Sequence, residues 1–229
     1  MSTKCKKFTY HVISKGKVPE SVEIFFEEVL KNFANEFFSF FKEWGELPFI
    51  YKERQLNSTL IPAIHCYTNT IFLELPFKDK NGNQRFLDIV TTKRKSIFLI
   101  ELKHARHSKN EHTTERADNE WRTSVDQISD LHSDVVKKHY NYDEYNVYRI
   151  ALLIMPTFLI KGSKHDILGY SAKKYAEYID SDYARCSKEY EPNLIGTIKI
   201  RNPNKYACEY EDRKEAYPFV TFVAKVEDV

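Results

Sequence analysis

The run Ile97-Phe-Leu-Ile-Glu101-Leu-Lys103 constrains this chain more than any other segment. Ile97 to Ile100 is continuously apolar and reads as a strand buried on both faces, yet it runs directly into Glu101 and Lys103. A buried charge is costly unless it is paired or bound to metal. Strand side chains alternate with a period of two, so Glu101 and Lys103 point to one face. A second acid-bearing strand, Arg85-Phe-Leu-Asp88-Ile-Val, precedes it, and the basic turn Thr92-Lys-Arg-Lys95 would fold the two side by side. That geometry brings Asp88 towards Glu101. Two carboxylates and a lysine converging at a strand end make a candidate divalent-metal site for phosphodiester hydrolysis. The blander alternative is a structural salt-bridge network.

Periodicity places the remaining elements. From Glu20 to Trp44 apolar residues recur at helical steps, with Phe25, Phe26, Phe33, Phe37, Phe40 and Phe41 among them, until Gly45 and Pro48 stop the pattern. This stripe reads as core, with a dimer interface or a lipid-facing role as alternatives. Residues 51–65 form a second helix with Leu56, Leu60 and Ile64 on one face, and Pro62 is expected to kink or shorten it. Glu53 stands near its start, where a carboxylate also suits the helix dipole. A strand from Thr70 to Lys78, a type I′ turn at Lys80-Asn-Gly-Asn83, and strands Phe86–Thr92 and Ser96–His104 make a meander. Residues 105–113 read as a mobile polar loop, after which Thr113 or Thr114 caps a helix running to about Tyr140. Trp121, Val125, Ile128, His132 and Val135 line one side of that helix, and Gln127 stands at the border of the stripe. A buried strand Tyr148–Ile160, broken near Pro156, a helix from about Ser171 to Tyr190, and strands Leu194–Ile200 and Phe219–Val226, possible partners of one another, complete the order. Residues 1–19 are basic and read as a loosely held arm or an edge strand. The whole is an α/β domain with a mixed central sheet flanked by helices.

Asp88, Glu101 and Lys103, in the order D-x12-E-L-K, resemble the site motif of the PD-(D/E)xK nuclease superfamily, which includes restriction endonucleases and Holliday-junction resolvases. Leu87 stands where the motif name has proline. Residues 53–64 look like the family's first core helix with its acid, and Trp121 to Gln127 is similar to its glutamine-bearing helix. The resemblance covers roughly residues 48–160 and implies a restriction endonuclease-like αβββαβ core. Residues 1–47 would then be a basic arm and helix, and 161–229 a helix and strands completing the same domain. It further implies a Mg2+- or Mn2+-dependent endodeoxyribonuclease. Asp88, Glu101, the carbonyl of Leu102 and Glu53 would hold metal. Lys103, with a lowered pKa, would position or deprotonate the attacking water, and Gln127 would orient a metal water or a phosphate. Glu53 and Gln127 keep their alternatives as a first-turn surface acid and an ordinary surface glutamine.

The net charge of +2 does not by itself declare a nucleic-acid partner. The distribution is more telling: Lys93, Arg94, Lys95, Lys103, Arg106 and Lys109 are expected to crowd the site and hold phosphates, though the turn Lys93 to Lys95 is equally readable as solvated. His104, His107 and His112 read as surface loop residues or phosphate contacts. Cys5, Cys66, Cys186 and Cys208 form no C-x-x-C pair, which argues against structural zinc and for a reducing, cytoplasmic setting. There is no secretory h-region, no run long enough for a membrane span, no P-loop and no nucleophile elbow. A DNA-cutting enzyme is the leading expectation, with a homodimer as the arrangement that would let it cut both strands. The alternatives are a catalytically weak nucleic-acid-binding module and an assembly protein acting through the Phe-rich helix.

Overall fold

In a computed structural model, residues 7–68, 70–79, 81–108, 114–131, 144–160 and 166–228 are described. Their apolar runs pair into one sheet of nine strands: β1 (Phe8–Ser14), β2 (Ile71–Lys78), β3 (Gln84–Lys93), β4 (Ser96–His104), β5 (His107–Ser108), β6 (Asn146–Ile160), β7 (Leu194–Ile200), β8 (Cys208–Glu209) and β9 (Lys214–Asp228). The spatial order is β1-β7-β9-β6-β4-β3-β2, with β5 on β6 and β8 on β9. β4 and β5 run parallel to β6, and every other pairing is antiparallel. Helices α1 (Glu20–Trp44) and α2 (Glu53–Thr68) cover one face, and α3 (Glu115–Ser129) and α4 (Ala172–Tyr183) the other. The architecture is thus a mixed α/β sheet with helices on both sides.

The phenylalanine stripe of α1 is spent inside the chain. Phe25 stacks on Phe98 of β4 at 4.2 Å, and Phe33 meets Phe222 of β9 edge-on at 5.2 Å. Only its C-terminal end faces outward, where Trp44, 73% exposed, stacks on the half-buried Phe40. Gly45 ends the helix in the left-handed conformation and donates its N–H to Phe41 O at 2.8 Å.

Several elements differ from expectation for identifiable reasons. α2 runs through Pro62 to Thr68, because the carbonyl deprived of its partner belongs to exposed Ser58 and is open to water. The β2–β3 turn is not type I′: of its central pair Asn81-Gly82 only Gly82 takes positive φ (+82°), and the Asp79 carboxylate accepts from the N–H groups of Asn81 and Asn83, both at 2.9 Å. β6 is unbroken, since Pro156 falls opposite the gap between the β4 pair His104–Ile154 and the β5 pair His107–Thr157. Residues 105–108 are not a free loop but pass into β5. α3 stops at Ser129 and α4 at Tyr183, each followed by a residue whose N–H still bonds back into the helix. Residues 132–143, with His132 and Val135, lie outside the described residues. β7 and β9 pair with each other as foreseen, and Phe8–Ser14 is an edge strand. Cys66, Cys186 and Cys208 are free thiols, and Cys5 lies outside the described residues. No helix among the described residues is long and apolar enough to cross a membrane.

Leu30 and Phe26 of α1 pack directly on Gly196 of β7, where a Cβ would come within 2.8 Å of both. Gly196→Ala is therefore expected to cost about 1–3 kcal/mol through overpacking. Chemical denaturation checks this; an unchanged midpoint would mean that the interface yields freely.

Candidate active site

The ladder between β3 and β4 starts at Lys93–Ser96 and ends at Ile89–Ile100. One position further, Asp88 stands opposite Glu101, and there the strands part. Leu102 N–H, left without a strand partner on that side, donates to Asp88 Oδ2 at 2.7 Å. β3 continues beyond the fork paired with β2 alone, as far as Gln84–Lys78. Between the pairs Leu73–Ile89 and Leu75–Leu87 of this arm, Glu74 faces Asp88 in register with its backbone in the left-handed region at φ +54°. A non-glycine residue there is strained, and such strain clusters at functional sites. Glu74, Asp88 and Glu101 thus form a row across three adjacent strands.

Lys103 donates to Glu101 Oε1 at 2.6 Å and to Leu102 O at 3.1 Å. Glu101 is 6% exposed, and burial followed by the Asp88 charge pushes its carboxyl up to about 7. Burial likewise raises Asp88, against the Leu102 N–H that favours its anion, and Glu74 adds to the rise. Burial and Asp88 raise Glu53, with Glu120 of α3 contributing. Lys103 is held above its usual value, the reverse of the lowered pKa expected: burial pulls it down, but Glu101, Asp88 and Glu53 outweigh that. It is an ammonium at neutral pH. One lysine faces an excess of half-buried and buried carboxylates, so the centre is short of positive charge.

Those carboxylates, with the Leu102 carbonyl beside them, are the hard oxygen donors that Mg2+ or Mn2+ takes. Among the described residues no three His, Cys, Asp or Glu side chains already converge as a cage. Glu101 is engaged by Lys103 and Asp88 by Leu102 N–H, so each would offer a cation its other oxygen. The donor chemistry and the missing positive charge both suit a divalent ion held by Asp88, Glu101 and Leu102 O, with Glu53 at the margin.

Gln127 is exposed on α3, yet it lines a pocket together with Glu101. Glu74 and Glu120 escaped the sequence reading. Glu74 carried the same signal as Glu101, an acid inside the apolar strand Phe72-Leu-Glu-Leu, and Glu120 stands two helical turns before Gln127.

The basic residues do not gather as expected. Arg94 is six residues along β3 from Asp88, about 20 Å at the usual strand rise, so the Lys93-Arg-Lys95 turn lies at the far end of the hairpin. Lys93 donates to Tyr67 O and sits 4.8 Å over that ring, and Lys95 pairs with Glu144 at 3.4 Å. Arg106 is committed internally, to the fully buried Glu215, to Tyr217 Oη at 2.8 Å and over the Phe158 ring at 4.6 Å. Lys109 and His112 lie outside the described residues. His104 and His107 are not surface residues: both are buried and pushed down to about 4 by desolvation. His104 Nε2 bonds Phe49 O at 2.7 Å, tying the end of β4 to the segment that leads into Glu53.

A carboxyl raised on folding binds its proton more tightly folded than unfolded, so stability is lost as pH rises from the ordinary carboxylate range through about 7. His104 and His107, held down to about 4, act in the opposite sense, because folding favours their neutral forms as pH rises through the ordinary histidine range. Between about pH 5.5 and about pH 8 the urea midpoint in EDTA is therefore expected to rise more, or fall less, in Glu101→Gln than in wild type. The same pH dependence in both proteins would place the effect elsewhere. Glu74→Gly, which relieves both strain and repulsion, is expected to stabilise the protein by about 1 kcal/mol; a loss of stability in the same experiment would contradict the strain argument.

Comparison with protein-family models, with curated proteins and with solved structures finds no match to this chain.

Proposed function

We propose that this chain is a metal-dependent nuclease that hydrolyses DNA phosphodiester bonds at Asp88, Glu101 and Lys103, on a restriction endonuclease-like core. The observation that carries the proposal is the opposition of Asp88 and Glu101 at the point where β3 leaves β4, with Lys103 bonded to Glu101 at 2.6 Å. The element order supports it: α2, three antiparallel strands β2, β3 and β4, then α3, then β6 parallel to β4, read as the αβββαβ order of that superfamily.

A bound Mg2+ or Mn2+ would supply Lewis-acid charge at the scissile phosphate and a more acidic water. Asp88 and Glu101 hold the position, and the Leu102 N–H keeps Asp88 aimed. The Lys103 ammonium donates towards the attacking water and offsets the charge that develops on the phosphorane oxygens. Glu53 closes the acidic cluster, and Gln127 presents its amide on the side facing α3.

A second reading, a nucleic-acid-binding module without efficient chemistry, is favoured by the Glu101–Lys103 pair, which satisfies itself in place. Cleavage of supercoiled plasmid, linear duplex, single-stranded DNA and RNA in Mg2+, Mn2+ or EDTA separates the two. Metal-dependent cutting is expected, abolished by Asp88→Ala or Glu101→Ala and reduced about 100-fold or more by Lys103→Ala, with the fold retained by circular dichroism. Tight binding without metal-dependent cutting would establish the second reading, and equal cutting by wild type and all three variants would remove the site.

A further inference from the structure

Where the β2–β3 arm leaves β4, it opens a pocket against α3. Phe77 and Phe86 with Arg85 form the arm side, Glu101 the floor, and Asp126, Gln127 and Asp130 the helix side, around a water-accessible volume of about 100 Å³. Phe77 and Arg85 are directly paired across the arm, and Phe86 follows with 59% of its surface exposed. An exposed phenylalanine at the mouth of a polar pocket offers a flat apolar face with no burial to explain it. On the opposite wall Asp126 is held by Tyr190 Oη at 3.0 Å, and Arg85 is held by Asp79 at 3.3 Å, so charged groups on both sides are preset in direction.

Size, charge and shape together select an occupant. The water-accessible volume of about 100 Å³ falls short of the roughly 150 Å³ that encloses a benzene ring, so a flat ring enters edge-first and leaves its outer part at the open mouth beside Phe86. With Glu101 bonded to Lys103, Asp126 and Asp130 still outnumber the one guanidinium of Arg85, so the helix side of the pocket disfavours phosphate. Ionised carboxylates accept hydrogen bonds only, so the occupant's polar edge must donate. A neutral, planar, nitrogen-rich ring with an amino group satisfies all of these, and Phe86 gives its face a stacking partner. Because Glu101 is both pocket floor and centre of the candidate active site, the occupant lies beside the scissile phosphate.

We propose that this pocket receives an unpaired nucleobase next to the cut, which makes single-stranded nucleic acid the substrate and favours amino-bearing bases over thymine and uracil. A base stacked and paired in a duplex does not reach such a pocket without being extruded. The placement beside the cut rests on the nuclease reading; the binding preference does not.

Fluorescence anisotropy in EDTA, with the full chain and labelled single-stranded (dC)20, (dA)20 and (dT)20, the matching RNAs and a mixed-sequence duplex, tests the preference apart from catalysis. Wild type is expected to bind the C and A strands at least about fivefold more tightly than the T strand or the duplex. Phe86→Ala should weaken the single-strand complexes about five- to tenfold and leave duplex binding unchanged. Asp126→Asn should reduce the gap between C and T. A tighter complex with either DNA or RNA identifies the sugar and supports the pocket equally. Equal affinity for all strands and duplex, untouched by Phe86→Ala, would overturn the pocket; the nuclease reading would still stand if Mn2+-dependent cleavage persists and is lost in Lys103→Ala. Absence of binding to every nucleic acid, persisting when Ca2+ replaces EDTA, would overturn the pocket, and absence of Mn2+-dependent cleavage as well would overturn the nuclease reading.

Discussion

The hydrogen bond from Leu102 N–H to Asp88 Oδ2 stands where a strand pairing ends, and the candidate site depends on it. Below it, β3 and β4 are joined main chain to main chain. Above it, a side chain does the joining, and the space that a continued ladder would fill is open. Glu101, Lys103 and the arm side of the pocket are reachable only because the strands part there. The strained backbone of Glu74, one strand over, belongs to the same departure from regular pleating.

An open fork in a sheet needs a stiff surround. α1 lays its phenylalanines across β4, β7 and β9, with the helix so close at Gly196 that no side chain fits between. On the far side of the site, Arg106 leaves the end of β4 for Glu215 of β9. Burial alone would raise the Glu215 carboxyl, but bonds from Tyr217, Arg213 and Arg106 hold it below the usual carboxylate range. A fully buried carboxylate with two guanidinium partners is a specific join rather than a large source of stability. It tethers the segment directly after Lys103.

Much of this was legible in the sequence, and the exceptions have physical causes. Ile97 to Lys103 announced both the strand and its misplaced charges, and the α1 stripe was read to its last residue because 25 residues of unbroken periodicity leave little choice. Asp88 opposite Glu101 followed from one short basic turn. Glu74 was passed over because a solitary acid in an edge strand is ordinary until its partners across the sheet are known. Arg106 and Lys93 were grouped with the phosphate-binding cations by nearness in sequence, but sequence distance says nothing about a guanidinium whose carboxylate lies 109 residues away. His107 looked like loop because its neighbours are polar, whereas its burial comes from β6 alongside.

The position of β9 has a consequence for how the chain comes into being. This strand is made last of the nine, yet it lies between β7 and β6, near the middle of the sheet. Until it emerges from the ribosome, β6 has a bare edge and the β1–β7 pair has nothing to join. Arg106 likewise has no Glu215. Bare edges invite pairing with other chains, so the nascent protein is most exposed to misassembly in the interval before β9 docks. The same delay leaves Arg106, in the segment just after Lys103, without its Glu215 partner until the strand docks.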